Sequence, residues 1–125
     1  MNLLLDTHVF IWWITSDPKL KATARAAISD PSRLVFVSAA TAWELSIKAS
    51  LGKINMPNDY EAELEAHRLQ ALPIHNAHAL AVKNLPLHHQ DPFDRLLVAQ
   101  ASLERLTLVT HDTRLKDYNV SVLMT

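Results

Sequence analysis

The chain has 125 residues, the length of one domain, and 49% of them are hydrophobic, enough for a core. Lys and Arg number 12 against 13 Asp and Glu, a formal charge of −1, so no overall basic excess advertises nucleic acid, although a local patch suffices. The absence of cysteine excludes disulfides and thiolate chemistry, and a single glycine excludes a Gly-rich phosphate loop of the P-loop or dinucleotide kind.

Residues 2–6 form a short apolar run ending in Asp6, which suits a strand buried on both faces of a parallel sheet. Asp6 interrupts the run and no basic region precedes it, so no signal peptide is expected; with no cysteine either, the expected location is the cytoplasm. A helix follows over 7–14 and breaks at Ser16-Asp17-Pro18. Residues 19–29 have helical composition, with Leu20, Ala24, Ala27 and Ile28 on one face. The second buried strand is 34–37, and the helix over 38–51 closes on Gly52. An acidic amphipathic helix is predicted over 59–70, and a short strand over 72–74 that Pro73 confines to an edge. A helix over 76–84 and a loop over 85–90 lead to the central helix. Asp91 is its N-cap, Pro92 fits its first position, and Leu96, Leu97, Val98, Ala99 and Ala101 make it a buried element. A strand over 106–110, a helical turn over 112–117 and a last strand over 120–124 complete the chain. Strands alternating with helices predict an α/β fold, a parallel sheet with helices on both faces, and one domain over 1–125.

Four acids stand at equivalent places in this pattern. Asp6 ends the first strand, Glu44 lies early in the helix after the second, and Asp112 follows the strand ending at Thr110. The C-terminal edge of an open parallel sheet gathers helix N-termini and ligands, so these three share one edge. Asp94 joins them if the central helix begins there. Each also fits a structural role: Asp6 and Asp112 as caps, Thr41-Ala42-Trp43-Glu44 as a capping box, Asp94 as a charge favoured by the helix dipole. Together, however, four acids repel one another and raise each other's pKa unless a cation or proton intervenes. Oxygen ligands suit Mg²⁺ or Mn²⁺, and the histidines have no zinc spacing. A carboxylate-held cation without a phosphate loop points to phosphoryl chemistry on a substrate that carries its own phosphates.

Leu3-Leu4-Leu5-Asp6-Thr7, Trp43-Glu44-Leu45, the run from Asp91-Pro92-Phe93-Asp94-Arg95 to Ala101, and Leu108-Val109-Thr110-His111-Asp112 resemble the successive acidic motifs of PIN domains, in particular VapC-type toxins of bacterial toxin–antitoxin pairs. The resemblance spans essentially the whole chain. It implies a three-layer α/β/α sandwich and a Mg²⁺- or Mn²⁺-dependent endoribonuclease, usually a homodimer inhibited by a cognate antitoxin, with RNA as substrate and no membrane partner. It makes Asp6, Glu44, Asp94 and Asp112 the catalytic, metal-binding acids, places Asp94 at the shared edge, and gives Thr110 the part of orienting the last acid. Thr7-His8 departs from the small Ser or Thr pair of many relatives and leaves His8 without a role.

Other readings of the residues stand beside this one. A haloacid-dehalogenase-like phosphatase needs a second Asp two residues after Asp6, where the chain has His8; a receiver domain needs an acidic pair near the end of the first strand, which is missing. A non-catalytic PIN-like interaction module has no need of four repelling charges. Trp43 is expected in the core, and the adjacent Trp12 and Trp13 in opposite environments, one at an interface with antitoxin or RNA. His88-His89 reads as a loop that happens to hold histidines, because Asp91 is accounted for as a cap. Arg95 either neutralises Asp94, touches a phosphate or joins a surface network, and Lys48, Lys53, Arg114 and Lys116 are candidates for RNA-backbone contacts or an ordinary solvated face.

Overall fold

In the computed structural model, which describes residues 1–125, five strands and six α-helices alternate as the composition pattern requires. They are β1 (Leu3–Leu5), α1 (Thr7–Ile14), α2 (Ala22–Ser29), β2 (Val35–Ser38), α3 (Ala39–Ser50), α4 (Tyr60–Ala66), β3 (Leu69–Leu72), α5 (Asn76–Ala81), α6 (Pro92–Glu104), β4 (Thr107–Thr110) and β5 (Val122–Met124). Two 3₁₀ turns, Val82–Asn84 and Thr113–Asp117, follow α5 and β4. The sheet is parallel throughout, in the order β3-β2-β1-β4-β5.

Side chains alternate faces along a strand, and the core divides accordingly. Leu3 and Leu5 join Val9 and Phe10 of α1, Ala24 and Ile28 of α2 and Leu64 of α4 on one face. Leu4 joins Leu108 and Leu97, Val98 and Ala101 of α6 on the other. The three leucines of β1 are 0% exposed, so each removes its full apolar surface from water, worth roughly 1.5–3 kcal/mol apiece. Helix α3 spans the seam between the layers, with Ala40 in the second core and Leu45 in the first.

Local chemistry explains the helix ends. Gly52 takes φ 72°, and the N–H groups of Gly52 and Lys53 donate to the carbonyls of Ala49 (3.0 Å) and Lys48 (2.9 Å), a Schellman closure of α3. Asp91 Oδ1 accepts from the N–H groups of Phe93 (2.8 Å) and Asp94 (3.0 Å), with Pro92 in the first turn of α6.

Five expectations require correction. The acidic helix ends at Ala66, not Gln70, because Arg68 adopts the left-handed region at φ 58° and returns the chain to the sheet. The third strand is therefore Leu69–Leu72 and not 72–74, although it does lie at the sheet edge. Helix α2 starts at Ala22, since Asp17 holds residues 17–20 in a turn, its Oδ1 accepting the Lys19 N–H at 2.9 Å. Trp43 is 59% exposed, held edge-to-face against Phe93 at 5.0 Å between ring centres, rather than in the core. Trp12 and Trp13 are both half-buried against the first core, not in opposite environments.

Candidate active site

The strand order makes the site. After β1 the chain moves to β2 on one side; after β4 it moves to β5 on the other. The crevice between two strands whose connections diverge is where ligands bind in open parallel sheets. Leu5 is aligned with Val37 and with Val109, so Asp6, Ser38 and Thr110 leave the three central strands at one level. Helix α6 runs back along the sheet before entering β4, which brings its N-terminus and Asp94 to the same edge. Asp6, Glu44, Asp94 and Asp112 all line one cleft of about 580 Å³, whose walls contain no apolar residue.

Each acid is held differently. Asp6 caps α1, with Oδ1 accepting the Val9 N–H at 2.9 Å, and its Oδ2 accepts the hydroxyl of Thr110. The same Thr110 oxygen accepts the Asp112 N–H at 3.0 Å, so one hydroxyl ties the first acid to the last. Burial raises the Asp6 carboxyl above its ordinary range, against the lowering effect of those two hydrogen bonds. Glu44 is not part of a capping box. Ser38 caps α3, accepting the Ala40 N–H at 2.9 Å, which leaves Thr41 and Glu44 inside the helix. Glu44 Oε1 accepts the Thr7 hydroxyl at 2.7 Å, and its Oε2 meets Lys48 Nζ, one turn on, at 2.8 Å. Thr7 Oγ1 lies 3.2 Å from Thr41 Oγ1, so Thr41 supplies the proton that Thr7 has spent on Glu44.

Asp94 has few partners. Asp91 already caps α6, so the Asp94 carboxylate is free of backbone duties and meets only the ring of His89 at 3.0 Å. Burial, then the charges of Asp91, Asp6, Glu44 and Asp112, push its carboxyl up to about 7. Asp112 is the opposite case. Its Oδ1 accepts the N–H and Nε–H of Arg114, both at 3.0 Å, and its Oδ2 accepts Arg114 Nη2 and His89 Nε2, both at 2.8 Å. The Arg114 guanidinium holds its carboxyl well below the usual carboxylate range.

The structure also brings in residues that the sequence left aside. His89 is not an idle loop residue: it is buried, with Nε2 between Asp94 and Asp112, whereas His88 is exposed and stacks edge-on against Tyr118. The ligand atoms of His89, Asp94 and Asp112 lie within 4.8 Å of one another. The only signal for this was the proximity of His89 to the Asp91 cap, which says nothing of where the ring points. Lys48 and Arg114 line the cleft, paired to acids; Lys53 and Lys116 do not line it. Arg95 touches no carboxylate and donates instead to backbone carbonyls of the preceding loop. His8 is exposed on the cleft wall, with its ring centre 6.1 Å from that of Trp12.

A family model for the PIN domain matches residues 3–120. Ribonuclease VapC22 of Mycobacterium tuberculosis is 31% identical over 120 residues, which cover 94% of this chain and 92% of that protein. Among solved structures, VapBC2 from Rickettsia felis, bound to a DNA fragment from its promoter, includes a chain that matches with a TM-score of 0.74 at 16% identity, covering 99% of this chain and 98% of that one. VapBC-5 from Mycobacterium tuberculosis, of the VapBC family of toxin–antitoxin systems, matches with a TM-score of 0.59 at 22% identity over 99% and 98% of the two chains. At those identities the structural likeness speaks for the fold.

Proposed function

The chain belongs to the PIN-domain family, and from that premise we propose that it is a Mg²⁺- or Mn²⁺-dependent endoribonuclease, the toxin of a toxin–antitoxin pair, hydrolysing RNA phosphodiester bonds at Asp6, Glu44, Asp94 and Asp112. The observation that carries the reading is the convergence of four carboxylates, from four different segments, in one polar cleft at the switch point of the sheet. RNA as the substrate class rests on Ribonuclease VapC22, and an antitoxin partner on the VapBC complexes. No helix is long and apolar enough to cross a membrane.

The residues present fit a hard cation. The donor set is carboxylate oxygen, and Asp94, raised first by burial and then by the neighbouring carboxylates, is the acid that a nearby positive charge relieves most. Bound there, a divalent cation supplies Lewis acidity toward the phosphodiester and a water of lowered pKa. The protein supplies placement. Thr110 sets Asp6 against Asp112, Thr7 sets Glu44, and Asp94 offers a carboxylate with little prior engagement. Lys48 and Arg114 neutralise acids in the free protein and stand at the cleft wall where a phosphate arrives, so exchange of partners there helps admit the substrate.

The direct test incubates purified, antitoxin-free protein with a panel of structured RNAs, and matched DNAs, in Mn²⁺, Mg²⁺ or EDTA. Cleavage confined to RNA and abolished by EDTA is expected; undiminished cleavage in EDTA refutes the metal-dependent reading. Expression alone is expected to arrest growth of a sensitive host, and Asp6→Asn to relieve the arrest; an Asp6→Asn protein as toxic as wild type removes the link between toxicity and this site. The expected homodimer has a suitable surface in Trp43 and Ile47 of α3 and its C-cap Leu51, spaced at i, i+4 and i+8 and 59%, 37% and 64% exposed. Light scattering is expected to show a dimer that Trp43→Glu dissociates.

A further inference from the structure

His89 is 6% exposed although it lies in the loop before α6, and each of its polar atoms is engaged. Its N–H donates to the Tyr118 hydroxyl at 3.0 Å, and its carbonyl accepts from Arg95 Nη1 at 3.3 Å. Arg95 also donates to the carbonyls of Pro86 at 2.9 Å and Val82 at 3.1 Å, so the backbone of this loop is stapled without help from the imidazole. The ring is therefore free for another task. Nδ1 accepts the Asp91 N–H at 3.0 Å, which leaves the ring proton on Nε2. That N–H donates to Asp112 Oδ2 at 2.8 Å, and Asp94 Oδ2 lies 3.0 Å from the same nitrogen, off the line of the N–H bond. A single ring nitrogen thus lies between two carboxylates carried by different elements, the first turn of α6 and the turn after β4.

We propose that His89 is a positioning residue of the nuclease site: its Nε2–H fixes Asp112, its buried ring edge stands against Asp94 and so sets the separation of the two carboxylates, and the ring stays outside the coordination of any cation they bind. The inference rests on the nuclease reading of the cleft. Like charges move apart unless something between them opposes it, and carboxylates that bind metals are commonly held by such outer hydrogen bonds. For Nε2 to act as a ligand, the ring proton must move to Nδ1, where it meets the Asp91 N–H head-on and strands a partly buried donor. Arg114 is the other group bridging to Asp112, but its side chain is 62% exposed and swings away at little cost, whereas the buried imidazole is fixed.

Two measurements test this without relying on cleavage. Long-range ¹⁵N–¹H spectra of the histidine rings are expected to show Nδ1 unprotonated and Nε2 protonated in the metal-free protein, and the same tautomer after saturation with diamagnetic Mg²⁺. Loss of the Nε2 proton on Mg²⁺ binding overturns the proposal in favour of a ligand. Calorimetric Mn²⁺ titration in the absence of RNA is expected to show His89→Leu weakened by about 10–100-fold, and His89→Gln, whose amide N–H reaches the place of Nε2, restored most of the way. Equal affinities of His89→Leu and wild type overturn it, as does a His89→Gln protein no better than His89→Leu. Should His89→Leu fail to fold by circular dichroism, the spectra and the His89→Gln titration still decide. If wild type binds Mn²⁺ in this His89-dependent way yet cuts no RNA in the panel, the nuclease reading falls and the positioning role stands.

Discussion

Asp94 and Asp112 flank the same histidine nitrogen, yet their environments drive them in opposite directions. On the α6 side of the cleft, burial and four neighbouring carboxylates push Asp94 up to about 7. On the β4 side, Arg114 and His89 hold Asp112 well below the usual carboxylate range. The side chains are chemically identical, and proximity to the other acids is common to both. What differs is the supply of donors: Asp112 accepts four hydrogen bonds, whereas Asp94 has lent its helix cap to Asp91 and receives one contact. Repulsion among the acids is therefore concentrated on one residue, and that residue has most to gain from a cation.

The largest effect is expected from neutralising that residue. Asp94→Asn is expected to lower RNA cleavage by on the order of a thousandfold or more, the loss of several kcal/mol of transition-state stabilisation, with the circular dichroism spectrum unchanged. The metal-free variant is expected to melt above wild type at neutral pH, because the crowded charge is gone. An active Asp94→Asn protein breaks the comparison outright.

Next comes the response to metal. Mn²⁺ at about a hundredfold excess over its dissociation constant is expected to stabilise wild type by about 2.7 kcal/mol, and Asp94→Asn by much less. Thermal melts with EDTA and across a Mn²⁺ titration read this, and equal shifts in the two proteins reduce Asp94 to a helix-terminal charge.

The pH dependence separates the two sides of the cleft. A raised folded-state pKa means that the folded protein binds the proton more readily, so the cost of the Asp94 charge is absent below the ordinary 3.8 and complete above about 7. Stability of the metal-free protein from this group falls as pH rises through that window, and Asp6, raised in the same direction, adds to the fall. Asp112 has the reverse sign: its contribution is present above 3.8 and is lost as pH drops toward its lowered folded-state value. Melting temperature against pH is expected to show both limbs, with Asp94→Asn flattening the upper one and Asp112→Asn the lower. If both variants flatten the same limb, the asymmetry is wrong.

The smallest effect belongs to Arg114→Ala. The guanidinium is 62% exposed, and pairs of that kind contribute about 0–1 kcal/mol. Freed of it, Asp112 is expected to bind Mn²⁺ up to about fivefold more tightly, with a slightly lower melting temperature in EDTA. Weaker Mn²⁺ binding by Arg114→Ala contradicts a guanidinium that competes with the cation.

Much of this was legible in the amino-acid order because the signals are local. The apolar run Leu3–Leu5 and the largely β-branched run Thr107–Thr110 mark buried strands, and Asp91-Pro92 and Gly52 mark helix ends through their own side chains or lack of one. The order of Asp6, Glu44, Asp94 and Asp112 relative to those elements is likewise a property of the string. Other features were not legible. Arg68 turns left-handed without a glycine to announce it, which moved the third strand. Trp43 is outside because the interior position one step further along α3 belongs to Glu44, held there by Thr7 from another helix.

By itself, then, the sequence determined the alternation of strands and helices, the caps, and four acids in an order that places three at one sheet edge. Tertiary structure decided that α6 delivers Asp94 to that edge, that Asp94 and Asp112 titrate in opposite directions, and that His89 lies between them. Caps and hydrophobic periods are set by residues within one or two turns, whereas burial, charge and hydrogen-bond supply at the cleft sum over side chains as far apart in the chain as Asp6 and Thr110, and only packing brings those together.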